Sequence, residues 1–179
     1  MTAISDYQAR KFGKGFSLFD HDGDGVVRFT DLRVVARHEA ERTGRDYTAP
    51  ELRPLRTCVE RWWQALDRAG RGQVDRDQFV AALIELSADR DRVRFIFEDG
   101  IRCLLSHMDS DGDGWVSKDD FIRVTQDDGL TDEERDAAFD SMDADGDGYA
   151  SIDDLVADYI TFYCTLDPDA GCNGIGGFF

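Results

Sequence analysis

Aspartates recur at one fixed spacing in three stretches of the chain: Asp20, Asp22, Asp24 and Asp31; Asp109, Asp111, Asp113 and Asp120; and Asp143, Asp145, Asp147 and Asp154. Counted from the first aspartate of each stretch, carboxylates fall at positions 1, 3, 5 and 12, and Gly25, Gly114 or Gly148 stands at position 6. A hard divalent cation takes about six to eight oxygen ligands. Carboxylates so spaced, bent towards one another at a glycine and joined by the backbone carbonyl of position 7 (Val26, Trp115 or Tyr149), can converge on a single point. The chemistry indicated is coordination of a divalent metal, with Ca2+ expected at three sites. One Asp-x-Asp-x-Asp-Gly string occurs on many scaffolds, whereas three of the same span form a specific signal.

Such loops must be held by helices, and the flanking residues supply them. The positions one and four residues before each loop are Phe19 and Phe16, Met108 and Leu105, and Met142 and Phe139. They form the inward stripe of an entering helix. Leu32, Phe121 and Leu155 open the exiting helices, with Val35, Val124 and Asp158 three residues further on, of which only Asp158 is polar. This helix–loop–helix unit is identified as an EF-hand. A fourth copy surrounds Asp67-Arg-Ala-Gly-Arg-Gly72-Gln-Val-Asp75-Arg-Asp-Gln78, flanked by Trp63, Leu66, Phe79 and Ala82. There Ala69, Arg71 and Gln78 replace three carboxylates and Arg71 adds a positive charge, so no metal is expected. The alternative is a shifted site built from Asp67, Asp75 and Asp77.

The resulting expectation is an all-α protein of four hands in two pairs. Residues 1–88 would hold a metal-binding first hand and the degenerate second. Residues 89–179 would hold metal-binding third and fourth hands and a C-terminal tail. Val27, Val74, Val116 and Ala150 at loop position 8 should join paired loops through two-residue β-ribbons. Position 9 should double as the N-cap of the exiting helix at Asp75, Ser117 and Ser151, with Arg28 a poor cap that makes the first site the least ideal. Thr131-Asp-Glu-Glu134 reads as a capping box, Gly44 as a helix stop, Thr48-Ala-Pro50-Glu51 as a helix start, and Ser87–Arg92 as a polar joint between halves.

All three complete loops end in aspartate, where a glutamate would reach far enough to give calcium both oxygens. One oxygen fewer favours six-coordination, so Mg2+ is expected as a competitor.

The chain has 179 residues and a formal charge of −17, which argues against nucleic acid or an anionic membrane surface as partner. Three doubly charged ions would bring that charge to −11, so binding and folding should be coupled. No basic segment followed by an apolar run opens the chain, no stretch is long enough to span a bilayer, and Thr2 rules out an N-terminal myristoyl glycine. A cytoplasmic protein is expected. Cys58, Cys103, Cys164 and Cys172 read as buried free thiols, with a Cys164–Cys172 pair conceivable only in an oxidising compartment.

The arrangement of one degenerate and three complete hands resembles the sarcoplasmic calcium-binding protein group, including its calerythrin-like members. The closing segment Phe162–Pro168 with Gly176-Gly177 is similar to the tail of the coelenterazine photoproteins. The resemblance implies hands gathered round a shared apolar interior. The photoproteins hold their luciferin with His, Trp and Tyr, and the matching positions here are Tyr159, Tyr163 and Ile175, so light emission is not expected. Trp62, Trp63 and Trp115 read as core residues, with a cavity for an apolar ligand as the alternative.

Function therefore reads as calcium binding by a Ca2+/Mg2+ buffer. The alternatives are a sensor with one dedicated protein partner, or a binder of an apolar small molecule. Only Met1, Met108 and Met142 are present, too few for the Met-rich groove of a promiscuous sensor. Catalysis through Asp20 and Asp22 would need the end of a buried parallel strand, and helical spacing of Phe12, Phe16 and Phe19 opposes it. A secreted, dockerin-like module would lack the entering helices.

Overall fold

A computed structural model describes residues 6–42, 44–126, 131–143 and 145–166. The elements run α1 (Asp6–Phe19), β1 (Val26–Val27), α2 (Phe29–Arg42), a 3-10 turn (Pro50–Leu52), α3 (Arg53–Leu66), β2 (Val74–Asp75), α4 (Arg76–Ser87), α5 (Arg90–Leu105), β3 (Trp115–Ser117), α6 (Lys118–Thr125), α7 (Asp132–Met142), β4 (Tyr149–Ser151) and α8 (Ile152–Cys164). This is an all-α fold of four helix–loop–helix hands.

Helix starts follow the capping chemistry of the sequence. Thr131 and Glu134 form a reciprocal box, the Thr131 hydroxyl accepting from the Glu134 N–H at 3.2 Å and Glu134 Oε2 from the Thr131 N–H at 2.9 Å. Asp75 and Gln78 form another, and Ser117 and Ser151 cap α6 and α8. Arg28 cannot accept, and its N–H instead donates to Asp31 Oδ2 at 2.7 Å, so α2 has only half a box. Beyond α2, Gly44 at φ +71° turns the chain while Arg45 N–H bonds back to Ala40 O.

Two antiparallel ribbons pair the hands: Val27 opposite Val74 and Val116 opposite Ala150. The second ribbon has three residues per strand rather than the expected two, because Ser117 and Tyr149 also pair. All four position 8 side chains are buried.

Helix α5 organises the interior by packing against α3 and α8. Phe97 of α5 is 1% exposed, with its ring centroid 5.4 Å from Trp62 of α3 and 4.6 Å and 6.0 Å from Tyr163 and Tyr159 of α8. Buried residues of both pairs form one continuous cluster. The expected joint is correspondingly less polar than its composition: Asp89 caps α5, but Ser87 is buried and accepts from Gln8 Nε2 at 3.4 Å.

The close approach of α3 and α5 depends on Gly100. A Cβ there would lie 2.4 Å from Cys58 Cβ and 2.7 Å from its Sγ. Gly100→Ala is expected to destabilise the fold by about 1–3 kcal/mol in spite of better helix propensity. Thermal melting checks this, and an unchanged midpoint would show that the helices can separate without loss.

Lys11 of α1 ties down the far end of the molecule. Its ammonium donates to the carbonyls of Phe162 and Thr165 and lies 4.3 Å from the Phe162 ring centre. A cation there gives the Phe162 carbonyl, in the last turn of α8, a donor and complements the helix dipole.

Two readings of the sequence need correction. Trp62 and Trp63 pack in and against the core, but Trp115 is 46% exposed because loop position 7 turns its side chain to solvent. Of the three described cysteines only Cys58 is buried, its thiol pushed up to about 12 by desolvation, whereas Cys103 and Cys164 are half-buried. Cys172 and Ile175 lie outside the described residues, and with them the Cys164–Cys172 pairing. Among the described residues no helix is long and apolar enough to cross a membrane.

Candidate metal centres

Each complete loop is wound around its first carboxylate. In the third loop Asp109 Oδ1 accepts from the N–H groups of Gly112 at 2.7 Å and Asp113 at 3.2 Å, and Oδ2 from Gly114 at 2.9 Å. In the fourth, Asp143 accepts from Gly146 at 2.8 Å, Asp147 at 3.1 Å and Gly148 at 2.8 Å. Position 3 accepts from the N–H of position 5 in all three loops, at 3.3 Å each. Position 5 accepts from position 7: Asp24 from Val26, Asp113 from Trp115 and Asp147 from Tyr149, at 2.9–3.0 Å. These bonds hold the carboxylates in place before any ion arrives.

The result is three acidic triads, Asp20/Asp22/Asp24, Asp109/Asp111/Asp113 and Asp143/Asp145/Asp147, each with ligand oxygens within 4.8 Å of one another. Oxygens on opposite sides of one Ca2+, each about 2.3–2.6 Å from it, stand about 4.6–5.2 Å apart, so each triad fits a single ion. The donor set is all oxygen, as a hard cation requires.

The position 12 aspartates stay outside these triads. Asp31 accepts from the Arg28 N–H. Asp120 accepts from the Ser117 hydroxyl at 2.7 Å and from Arg123 Nη2 at 2.9 Å, and Asp154 is exposed. Val26, Trp115 and Tyr149 occupy the first residue of β1, β3 and β4, beside the triads in sequence.

The electrostatics follow from the hydrogen bonds. Desolvation pushes the Asp109 and Asp143 carboxyls up, but the N–H groups of Gly114, Gly112 and Asp113, and of Gly148, Gly146 and Asp147, together outweigh it and hold both below the usual carboxylate range. The Ser117 hydroxyl and then Arg123 lower Asp120. Arg28 lowers Asp24. Asp158 moves the other way, raised first by burial and then by the neighbouring Asp154 charge.

The second loop keeps the shape without the oxygens. Asp67 still accepts from Arg71 N–H at 2.8 Å and Gly72 N–H at 2.7 Å, and Gly72 still bends at φ +78°. No acidic triad forms there among the described residues, since Asp75 is committed to capping α4. Sequence reasoning did not anticipate the arginines: Arg28 on Asp24 at 2.6 Å and Arg123 on Asp120. The i, i+4 and i, i+3 spacings were the available signal.

Comparison with known proteins agrees with this geometry. Residues 98–160 match the EF-hand domain pair family. A rice protein named for calcium binding, CML23 of Oryza sativa subsp. japonica, is 30% identical over 94 residues, 52% of this chain and 56% of its own, so the chain matches just over half the length of that relative. A calcium-binding protein of Streptomyces coelicolor, described for prokaryotic calcium-mediated regulation, is 26% identical with a TM-score of 0.67 and coverage of 88% of this chain and 98% of its own. Two further structures share the fold. The photoprotein mitrocomin of Mitrocoma cellularia has a TM-score of 0.74 at 20% identity, over 97% and 90% of the two chains. A sarcoplasmic calcium-binding protein of amphioxus has 0.67 at 18%, over 97% and 98%.

Proposed function

Because the chain is an EF-hand type calcium-binding protein with the fold of the sarcoplasmic calcium-binding proteins and the coelenterazine photoproteins, we propose that it is an intracellular Ca2+/Mg2+ buffer with three functional sites and no catalytic role. The observation that carries this reading is the set of three triads already braced by backbone N–H groups. Ions would be held by Asp20, Asp22, Asp24 and Asp31, by Asp109, Asp111, Asp113 and Asp120, and by Asp143, Asp145, Asp147 and Asp154. The carbonyls of Val26, Trp115 and Tyr149 would add one oxygen each. Residues 1–88 then carry one live hand supported by the degenerate second, and residues 89–179 carry two.

The buffer reading draws on two features. Short aspartates at position 12, outside the triads, suit the smaller coordination number of Mg2+. Met108 and Met142 are half-buried against the core, which leaves no adaptable methionine surface on the described residues for a target helix. Calorimetric calcium titration of metal-stripped protein, with and without millimolar magnesium, tests the proposal. Three binding steps weakened by magnesium are expected, and fewer steps indifferent to magnesium would overturn it.

The Streptomyces coelicolor relative favours a second reading, a sensor acting on one protein partner. Calcium-dependent binding of a fluorescent apolar dye separates the two: a sensor gains dye on loading, and a buffer does not.

A further inference from the structure

Position 9 separates the first loop from the other two live loops. Ser117 and Ser151 spend that position on a helix cap. Arg28 turns its guanidinium back into the loop, where Nη1 donates to Asp24 Oδ2 at 2.6 Å. Asp24 Oδ1 already accepts from the Val26 N–H at 3.0 Å, so both oxygens of this carboxylate are engaged. Asp113 and Asp147, its counterparts, each accept from a backbone N–H and, among the described residues, pair with no side-chain cation. The other branch of the guanidinium, Nη2, lies 3.5 Å from Gln73 Oε1 in the degenerate loop.

We propose that Arg28 is a tethered counter-cation of the first loop, which neutralises Asp24 in the metal-free protein and must withdraw when a divalent ion enters, making this site the weakest and last filled of the three. The proposal rests on the reading of the first loop as a metal site. An arriving ion needs an Asp24 oxygen that the guanidinium holds. Arginine cannot relieve the conflict by losing its proton. After displacement its tether keeps a unit positive charge within several ångströms of the ion, and even in a water-like dielectric that repulsion corresponds to roughly tenfold in affinity. Both partners are partly exposed, at 39% and 37%, so salt screens the effect.

Arg123 in the third loop pairs with a different kind of ligand. It holds Asp120 at position 12, outside the triad, so it competes for that one carboxylate and leaves Asp109, Asp111 and Asp113 open to an ion. Gln73 supplies the displaced Arg28 with an acceptor across the ribbon, which makes the degenerate hand a receiver for the cation its partner expels. The protein then responds in two concentration ranges, with the third and fourth loops filled first.

Calcium titration of the unsubstituted chain and of Arg28→Gln, Asp22→Ala and Asp22→Ala/Arg28→Gln tests this. Arg28→Gln keeps length and polarity but removes the charge. It is expected to strengthen the weakest step about tenfold at low salt, less at high salt, and to leave the other two within about twofold. Adding Asp22→Ala, which leaves no side-chain oxygen at that position, should abolish the strengthened step and so assign it to the first loop. If Arg28→Gln changes no step while Asp22→Ala removes one, the tethered cation is overturned and the three-site reading stands. If Asp22→Ala removes no step in either background, the first loop is not a metal site and both readings fall.

Discussion

Metal-stripped protein is expected to melt far below calcium-loaded protein. Folding in the absence of metal confines the carboxylates of each triad within 4.8 Å, on a chain of formal charge −17. Hydrogen bonds from loop N–H groups offset part of that repulsion, and a divalent ion removes most of it. An ion that binds only the folded state adds about 2.7 kcal/mol per site at a free concentration of 100 times Kd. Three filled sites then contribute about 8 kcal/mol, comparable with the whole stability of an ordinary domain of about 5–15 kcal/mol. Thermal melts in chelator and in calcium, at matched ionic strength, read the difference directly. Coincident midpoints would show that the triads do not hold ions under these conditions.

Phe97→Ala is expected to cost about 3–5 kcal/mol, among the largest effects a single side chain can have here. The ring is almost fully enclosed and touches Trp62 on one side and Tyr159 and Tyr163 on the other. Its removal opens a cavity where α3, α5 and α8 meet, a place where residues of the first pair and the last helix share a neighbour. The damage should therefore reach both pairs, and denaturant unfolding of the variant should shift indole fluorescence and far-ultraviolet circular dichroism together. A loss below about 1 kcal/mol would mean the aromatic cluster repacks around the gap.

Much of this architecture was legible because its signals are local. The spacing of Asp109, Asp111, Asp113 and Gly114 states a loop, Thr131 with Glu134 states a helix start, and Val116 and Ala150 state a ribbon; in each case the interacting groups lie within a few residues or at equivalent loop positions. The capping failure at Arg28 was legible for the same reason. Where its guanidinium went was not, because a side chain with four rotatable bonds chooses among acceptors that only the folded loop brings near. Nor could Gly100 be recognised as a packing site, since the constraint comes from Cys58, a residue of another helix. Trp115 misled because aromatic residues usually pack inward, whereas position 7 of a loop is chosen for its carbonyl. The position 12 aspartates were correctly seen as short, but that they would accept instead from Arg28 N–H, Ser117 and Arg123 depended on partners the spacing does not specify.

The anchorage of Lys11 bears on how the chain is made. Its carbonyl partner Phe162 lies 151 residues downstream, and Phe12 beside it stacks on Tyr163 at 6.3 Å. A ribosome adding about 5–20 residues per second needs roughly 8–30 s to supply that partner. Throughout that interval the first hand can wind its helices, join the second through Val27 and Val74 and seat Trp62 against Phe19 and Phe79, yet the flank that Phe12 and Trp62 turn towards Tyr163 and Phe97 stays uncovered until Phe97 and then Tyr163 emerge. The first hand to be synthesised is thus among the last to be sealed, and the nascent chain must stay soluble meanwhile with that flank uncovered.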